Sequence, residues 1–229
     1  MSNGSFEFKL LVKKGESIEK SVYKFFRKAV FSGYFQPGER LIESSLAKRL
    51  NISRTPLREA IKRLETEGLV KITPNKGATV LKSSPEEIEE MYFIAGVLEG
   101  LAAYLNAENL STEDIDKMRE IEVILEDEEC QRDYERWLKL NIEFHNTYIL
   151  GKKKSLLTRL LEQRTKPLGR YWYLGCTSPG MLDTCISGHR NILEAFSRKD
   201  AEAARKAVEE HLFDVGRLMR KHLGRIFVI

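Results

Sequence analysis

Residues 50–70 constrain the fold of this chain most, because they hold a start signal, an apolar stripe and a stop for one short helix. Leu57 and Ile61 lie four residues apart, so both can point from one face of that helix into a core. Ser53 stands where an N-cap is expected, and Gly68 stands where the helix should end. The pattern predicts a helix with one buried face and one face left for a partner.

The free face of this helix is basic. Arg54, Arg58 and Lys62 are spaced four apart and therefore share one side. Arginine can pair bidentately with guanine in the major groove, and additional cations hold phosphates. A solvated basic face on a packing helix is the alternative interpretation for any one of these residues.

The surrounding segments complete a recognisable motif. Apolar residues at helical spacing predict one helix over about 16–32 and a second beginning near Glu43. After the basic helix, two short β-branched runs at 70–72 and 78–81 enclose a turn rich in Pro, Asn and Gly, which is typical of a hairpin. Three helices followed by a hairpin form a winged helix-turn-helix.

The charge is distributed unevenly along the chain. Residues 1–83 carry 17 Lys and Arg against 8 Asp and Glu, whereas the remainder carries 21 against 26. A basic first part and an acidic second part indicate that the first part binds a polyanion. Ordinary surface scatter would also produce such a difference, so charge alone does not decide the matter.

The second part of the chain reads as helices only. Ser84 and Ser111 are start signals of the capping-box type. The predicted spans are 85–108, 112–127, 131–150, 154–174, 180–198 and 201–223. The fold class is therefore mainly α, with a winged helix-turn-helix followed by an all-α bundle of about six helices.

Other features bound the cellular setting. No apolar run approaches the ~20 residues that span a bilayer, and the first residues lack the pattern of a signal peptide. The three cysteines have no finger-like spacing and suit a reducing compartment. We therefore expect a cytoplasmic protein without a membrane partner.

The first domain resembles the N-terminal domain of GntR-family bacterial transcription regulators. The resemblance covers roughly residues 18–81 and is carried by Pro37-Gly-Glu-Arg-Leu41, Ser53-Arg-Thr-Pro-Leu-Arg-Glu-Ala60, Glu67-Gly-Leu69 and Gly77. It implies that operator DNA is contacted by the basic helix and the wing. The residues expected to contact DNA are Arg40, Ser53, Arg54, Thr55, Arg58, Lys62, Asn75, Lys76 and Gly77.

All four histidines lie in the second domain. Asn141 and His145 are four apart on one helix face, while His189 and His211 belong to two later helices. Histidines in bundle cores commonly bind metals, but spacing alone does not show that these three converge. Satisfied core or surface histidines are the alternative. His222 stands 11 residues after His211 and is too far along the same helix to share an ion with it.

The same segments resemble the FCD effector domain found in the FadR-type branch of the family, over about residues 85–222. The resemblance implies that Asn141, His145, His189 and His211 ligate one divalent metal per subunit, with zinc, nickel and manganese all compatible. The segment Ser83-Ser-Pro-Glu-Glu87 marks the domain boundary. The chain is thus divided into an arm or short edge strand at 1–15, the winged domain at 16–82 and a metal-binding, effector-binding and dimerisation domain at 83–229.

Two departures from the family pattern affect the expected ligand. Asn141 replaces an Asp found in many relatives, so neutral ligands leave the metal's charge uncompensated. We therefore hypothesise that a small carboxylate effector completes the shell. Ala95 stands where many relatives have an Arg, and Arg164 or Arg170 is expected to bind the effector instead, with Lys166 as a further candidate.

The combined interpretation is a ligand-responsive transcriptional repressor that binds a pseudopalindromic operator as a homodimer. One alternative is a metal-dependent enzyme with an accessory winged domain, although the histidines come with no nucleophile or general-base motif. Another is a bundle that only dimerises and whose histidines bind nothing.

Overall fold

The computed structural model describes residues 8–12, 15–31, 33–74, 76–150, 156–165, 171, 175 and 178–226, with the side chains of 162–165 and 224–226 left out. The chain forms two compact units, Met1–Ser83 and Ser84–Ile229.

The first unit is a winged helix-turn-helix, as the sequence predicts. Its elements are α1 Ile18–Phe31, β1 Arg40–Leu41, α2 Glu43–Leu50, α3 Arg54–Thr66, β2 Val70–Thr73 and β3 Gly77–Val80. The strands form an antiparallel sheet in the order β1-β3-β2. The two-residue strand β1 was not predicted, because two residues show no alternation that a sequence pattern can reveal.

Helices α1 and α3 form the centre of the first core. Val22, Phe26 and Ala29 recur on one face of α1 and are fully buried. Leu57 and Leu64 do the same on α3. Because these positions repeat every three or four residues, each helix keeps a continuous apolar stripe against the core and a polar face outside it.

The turn before α3 shows one difference from expectation. Asn51 ends α2 in the left-handed conformation, at φ 52°. Ser53 occupies the N-cap position of α3 with extended backbone, but its side chain makes no capping hydrogen bond. The prediction that the Ser53 side chain caps α3 is therefore wrong, because its hydroxyl accepts no hydrogen bond from a first-turn amide.

Part of the predicted N-terminal arm contacts the first core. Residues 8–12 form neither helix nor strand. The centroid of the Phe8 ring lies 5.0 Å from that of the Phe25 ring, and the Arg49 guanidinium lies 3.8 Å from the Phe8 centroid. These contacts anchor the arm to the domain.

The described part of the second unit is entirely helical. Its elements are α4 Pro85–Asn106, α5 Thr112–Glu126, α6 Glu128–Arg132, α7 Tyr134–Leu150, α8 Leu156–Thr165, α9 Met181–Ser197 and α10 Ala201–Ile226. Ser84 and Ser111 each complete the predicted capping box, at the starts of α4 and α5.

The short helix α6 was not predicted. Asp127 accepts hydrogen bonds from the backbone amides of Glu129 and Cys130, so it begins a new helix immediately after α5. Asp133 then adopts a non-helical backbone conformation, at φ −102° and ψ 82°, and separates α6 from α7. Helix α8 corresponds to the first half of the helix predicted over 154–174, and most of the second half lies outside the described residues.

Candidate metal centre and DNA-binding surface

Three histidines from three helices meet inside the second unit. His145 on α7, His189 on α9 and His211 on α10 offer ligand atoms that all lie within 4.8 Å of one another. Their ring centroids are 5.0 to 5.3 Å apart. All three side chains are buried. The convergence that sequence spacing could not show is therefore present in the fold.

Two buried glutamates pair with Nδ1 atoms of two of these imidazole rings. The Nδ1 atom of His145 lies 2.9 Å from Oε2 of Glu99 on α4, and Nδ1 of His189 lies 2.9 Å from Oε2 of Glu122 on α5. The Tyr148 hydroxyl donates to Glu99 at 3.1 Å and lies 2.6 Å from the same His145 nitrogen. Carboxylate–histidine pairs of this kind fix the orientation of metal-ligating imidazoles and raise their basicity.

Several polar atoms in the cluster lack hydrogen-bond partners among the described residues. They are Nε2 of His189, Nδ1 of His211, Oδ1 of Asn141 and Oε1 of Glu122. Leaving a buried polar atom unpaired costs about 1–3 kcal/mol. Unpaired imidazole nitrogens and an amide oxygen in one place form a donor set that fits a divalent transition-metal ion.

Burial sets the protonation states in the centre. Removal from water, followed by repulsion from the other histidines, holds the pKa of both His189 and His211 well below its usual range. Neutral imidazole is the form that ligates a metal. Burial, reinforced by nearby Glu126 and opposed by Arg190, raises the pKa of Glu122 to about 8.

Gly188 provides the space that His211 occupies. A Cβ atom on Gly188 would lie 2.3 Å from Nδ1 of His211 and 2.8 Å from its Cγ. Real side chains do not approach so closely, so any larger residue at position 188 would displace the imidazole. The neighbouring residue on α9, His189, contributes its own ring to the cluster.

Four of the candidate DNA-binding residues lie on the exposed face of α3. Arg54, Thr55, Arg58 and Lys62 are exposed on α3, on the side away from its buried stripe. The side chain of Arg58 is held by Glu43 of α2, with Nε 2.7 Å from Oε2. This contact orients the guanidinium at the exposed surface.

The wing and its neighbouring strand hold further candidate residues. Gly77 adopts φ +83°, which glycine reaches without strain, at the start of β3. Arg40 on the adjacent strand β1 places its Nε 4.0 Å from the position that a Cβ on Gly77 would take. Lys76 and Ser53 are exposed. Asn75 lies outside the described residues.

Comparison with known proteins agrees with both halves of this architecture. Residues 18–80 match the family of bacterial regulatory proteins, gntR family, and residues 90–214 match the FCD domain. The chain belongs to the GntR family. It is therefore a DNA-binding transcriptional regulator of the GntR type with a C-terminal FCD domain, and its predicted fold class is confirmed.

Individual relatives support the assignment to this family. The uncharacterized HTH-type transcriptional regulator YdhC of Bacillus subtilis is 30% identical over 197 residues, covering 82% of this chain and 85% of the relative. The HTH-type transcriptional repressor RspR of Escherichia coli is 23% identical over 209 residues, covering 90% of each. The solved structure of E. coli McbR/YncC has a TM-score of 0.69 at 25% identity, over 90% of this chain and 99% of that one.

These GntR-family relatives are regulators rather than enzymes, so the enzyme interpretation is not favoured. Among the described residues, no helix is both long enough and apolar enough to cross a membrane.

A small cavity adjoins the histidine cluster of this GntR-family regulator. It has a volume of about 30 Å³, and its lining includes Asn141, His145 and His211. Its other walls are largely apolar and include Trp137 and Met219. A cavity of this volume can hold water-sized groups, since one water molecule needs roughly 10–15 Å³ of cavity volume.

Four residues considered for the effector or the centre have different outcomes. The Arg164 side chain and Arg170, like Lys166, lie outside the described residues, so their predicted contact with an effector stays a prediction. Cys185 lines the small cavity and is buried, but it does not belong to the three-histidine cluster.

Glu99 and Glu122 were missed in the sequence because they act from helices distant in the chain. The sequence signal for each is a glutamate flanked by apolar neighbours within a helical run, Leu98-Glu99 and Ile121-Glu122-Val123. Charged residues are rarely fully buried unless they are paired. They place acidic groups next to two of the three histidines, in addition to the neutral donor Asn141.

Proposed function

We propose that this protein is a metal-dependent, effector-responsive repressor that binds a pseudopalindromic operator as a homodimer in the cytoplasm. The observation that carries the proposal is the buried cluster of His145, His189 and His211, backed by Glu99 and Glu122. Repression is inferred from the RspR relative, which is named a repressor.

The metal ligands in this proposal are the three histidines and Asn141, with one divalent ion per subunit. The Asn141 side chain is buried, and its carbonyl oxygen lacks a partner among the described residues, which supports its role as a fourth donor. When bound, the ion supplies a Lewis-acidic position for an effector. Zinc, nickel and manganese are all compatible with nitrogen and oxygen donors.

The effector in this proposal is a small carboxylate. A carboxylate oxygen can coordinate the ion from the cavity that Asn141, His145 and His211 line. The apolar walls and the volume of about 30 Å³ favour a ligand of few atoms, or one whose binding widens the cavity. The second route would couple effector binding to the packing of α7 and α10, which carry Asn141 and His211 at the cavity.

Operator recognition is assigned to the exposed face of α3 and to the wing. Arg54, Thr55 and Arg58 lie in the first half of α3, and the N-terminal half of a recognition helix reaches base edges most readily. We assign contacts with phosphates or the neighbouring groove to Arg40, Ser53, Lys62 and the wing residues 75–77.

Dimerisation is assigned to an exposed apolar stripe on α4. Five side chains on one face of this helix are each 44% to 55% exposed: Ile94, Val97, Leu101, Tyr104 and Leu105. The opposite face of α4 is buried in the bundle. A helix that is apolar on both faces is expected to be covered on both, and a second copy supplies the symmetry that a pseudopalindromic operator requires.

The test is operator binding with and without metal. A genomic DNA selection with the full-length protein would first yield an operator. Its affinity would then be measured for wild type, the His145→Ala/His189→Ala double variant and Arg58→Ala, each alongside elemental analysis. We expect the double variant to lose metal and the response of DNA affinity to effector while keeping a folded winged domain.

The outcomes separate the parts of the proposal. Arg58→Ala should lose about 1–3 kcal/mol of discrimination for the operator and retain its metal. Equal metal content in wild type and the double variant would overturn the metal centre. Unchanged operator affinity in Arg58→Ala would overturn the assignment of α3.

A further inference from the structure

A second and larger cavity opens between α9 and α10 in the same unit. Its volume is about 380 Å³. Asp183 and Ser187 line it from α9, and Glu210 and Asp214 line it from α10, and all four are exposed. We refer to this cavity as the acidic cleft.

His211 connects the acidic cleft to the metal centre. It lines both the acidic cleft and the small cavity that adjoins the histidine cluster, although only 5% of its surface is exposed. Its Nδ1 atom has no hydrogen-bond partner among the described residues. Gly188 also lines the cleft and presents no side chain between the cleft and this imidazole. One candidate metal ligand is therefore the floor of a water-accessible opening.

The cleft is electrostatically suited to a cation. Three carboxylates line it, and no Lys or Arg belongs to the described part of its lining. Arg217 contacts Asp214 at 2.6 Å, and Lys206 lies 3.8 Å from Glu210, so part of this charge is offset from outside. A concave surface lined by one sign of charge concentrates counter-ions and can raise association rates by roughly 10-fold to 1000-fold.

The described lining of the small cavity beside the histidines differs in chemistry from that of the acidic cleft. The walls of the small cavity are mainly apolar, with Trp137, Leu212 and Met219 among them. A divalent cation exchanges its water shell for protein ligands more easily where polar groups replace the departing waters. The acidic cleft supplies those groups as carboxylates, the Ser187 hydroxyl and the Asn191 amide.

We infer that the acidic cleft is the route by which a divalent cation enters and leaves the histidine centre, with His211 as the first ligand it meets. The inference rests on the proposed metal centre and adds a kinetic role for residues outside it. Asp183, Glu210 and Asp214 attract the ion, and the small residues of α9 leave the way open.

The test measures the rate of metal uptake by the full-length protein. Metal-free protein would be mixed with Co²⁺ in a stopped-flow instrument at low and high salt, and the ligand-field absorption would be followed. The variant is Asp183→Asn/Glu210→Gln/Asp214→Asn. The matched control, Glu108→Gln/Asp116→Asn/Glu128→Gln, removes the same three charges from exposed positions on other parts of the unit.

We expect association to slow about tenfold in the cleft variant at low salt and to change little in the control. The salt dependence of the rate should also weaken in the cleft variant alone. A second variant, Ser187→Trp, should narrow the cleft and slow both Co²⁺ uptake and its removal by EDTA, without changing any charge.

Two failures are distinguishable. If wild type binds no Co²⁺ at equilibrium, the proposed metal centre is wrong and the route with it. If wild type binds Co²⁺ but the cleft variant and Ser187→Trp take it up as fast as the control, only the route is wrong.

Discussion

The Oε2 atom of Glu99 lies 2.9 Å from Nδ1 of His145, although 46 residues separate the two in the chain. This contact occupies Nδ1 and leaves Nε2 as the nitrogen available to a shared ion, and it links α4 to α7 at the candidate centre. Both side chains are almost completely buried. The position of the ring is therefore set by a helix that contributes no ligand itself.

Replacing Glu99 with Gln should weaken metal binding without removing a ligand. The amide preserves the size of the side chain but replaces the carboxylate that pairs with Nδ1 of His145. Loss of such an outer partner typically reduces metal affinity 10–100-fold. Competition titration with a chromophoric chelator would measure the affinity.

The control for this prediction is Glu90→Gln, which removes the same charge from an exposed position on α4. Its metal affinity should equal that of wild type. Equal affinities in Glu99→Gln and Glu90→Gln would show that the Glu99 contact does not influence the centre.

Replacing Gly188 with Ala should also reduce metal binding, for a steric reason. The new Cβ would lie 2.3 Å from Nδ1 of His211, so the ring must move away from the cluster. Within a helix, alanine is intrinsically more favourable than glycine by about 1 kcal/mol, so the helix itself should not be weakened.

Metal content by elemental analysis and helicity by circular dichroism would be measured on the same sample. Ser187→Ala, one residue earlier on α9, is the matched control and should keep its metal. A Gly188→Ala protein with full metal occupancy would contradict the packing argument.

Replacing Glu43 with Gln should lower the specificity of DNA binding more than its affinity. Glu43 holds Arg58 at 2.7 Å and also presents a negative charge near the DNA-binding face. Removing it frees the guanidinium and lessens repulsion from phosphates. Because this pair is partly exposed, the effect should be modest, within about 1 kcal/mol.

The measurement is the ratio of dissociation constants for operator and scrambled duplex at one salt concentration. Glu59→Gln removes an equal charge from α3, where Glu59 contacts Lys62 at 2.8 Å. We expect the ratio to fall more in Glu43→Gln than in Glu59→Gln. The reverse order would show that Glu43 does not position Arg58 for recognition.

Alkaline pH should destabilise the winged domain through Tyr23. Its side chain is largely buried, and its hydroxyl donates to Glu67 while Arg63 lies 3.8 Å above the ring. Burial, assisted by Glu67, raises the pKa of Tyr23 from 10.0 to about 12. The unfolded chain therefore loses this proton first, so the contribution is present below pH 10 and lost as the pH rises towards 12.

The full loss would be on the order of 2–3 kcal/mol. Differential scanning calorimetry of the full-length protein between pH 9 and about 11.5 would follow the winged-domain transition. Tyr23→Phe lacks the ionisable group, so its transition should depend less steeply on pH. Parallel pH profiles for the two proteins would contradict the prediction.

The sequence predicted those parts of the fold that depend on neighbours in the chain. The apolar repeat of α3 and the capping box at Ser84 are local patterns, and both occur where they were expected. The two-residue strand β1 depends instead on pairing with β3, and α6 depends on one aspartate, Asp127, acting as a cap. Neither leaves a periodic signal.

The same distinction applies to the candidate centre. His145, His189 and His211 could be proposed together only because their segments resemble a known family, since spacing of 44 and 22 residues does not determine convergence. Glu99 and Glu122 had no such signal beyond being acidic residues in apolar surroundings. Their role emerges only when α4 and α5 pack against α7 and α9.

The exposed apolar stripe of α4 should determine the oligomeric state of the protein. Leu101 lies near the middle of the stripe and is 44% exposed. Leu101→Glu places a charge where a second copy is proposed to pack, so it should shift the protein towards monomer. Analytical ultracentrifugation over a range of concentrations would measure the shift.

Val123 on α5 provides the matched control, because it is 66% exposed and lies outside the stripe. Val123→Glu adds the same charge and should leave the oligomeric state of wild type unchanged. Because two half-sites must be bound together, Leu101→Glu should also lose affinity for the full operator while keeping its affinity for an isolated half-site. A Leu101→Glu protein that remains as dimeric as Val123→Glu would exclude this face of α4 as the dimer interface.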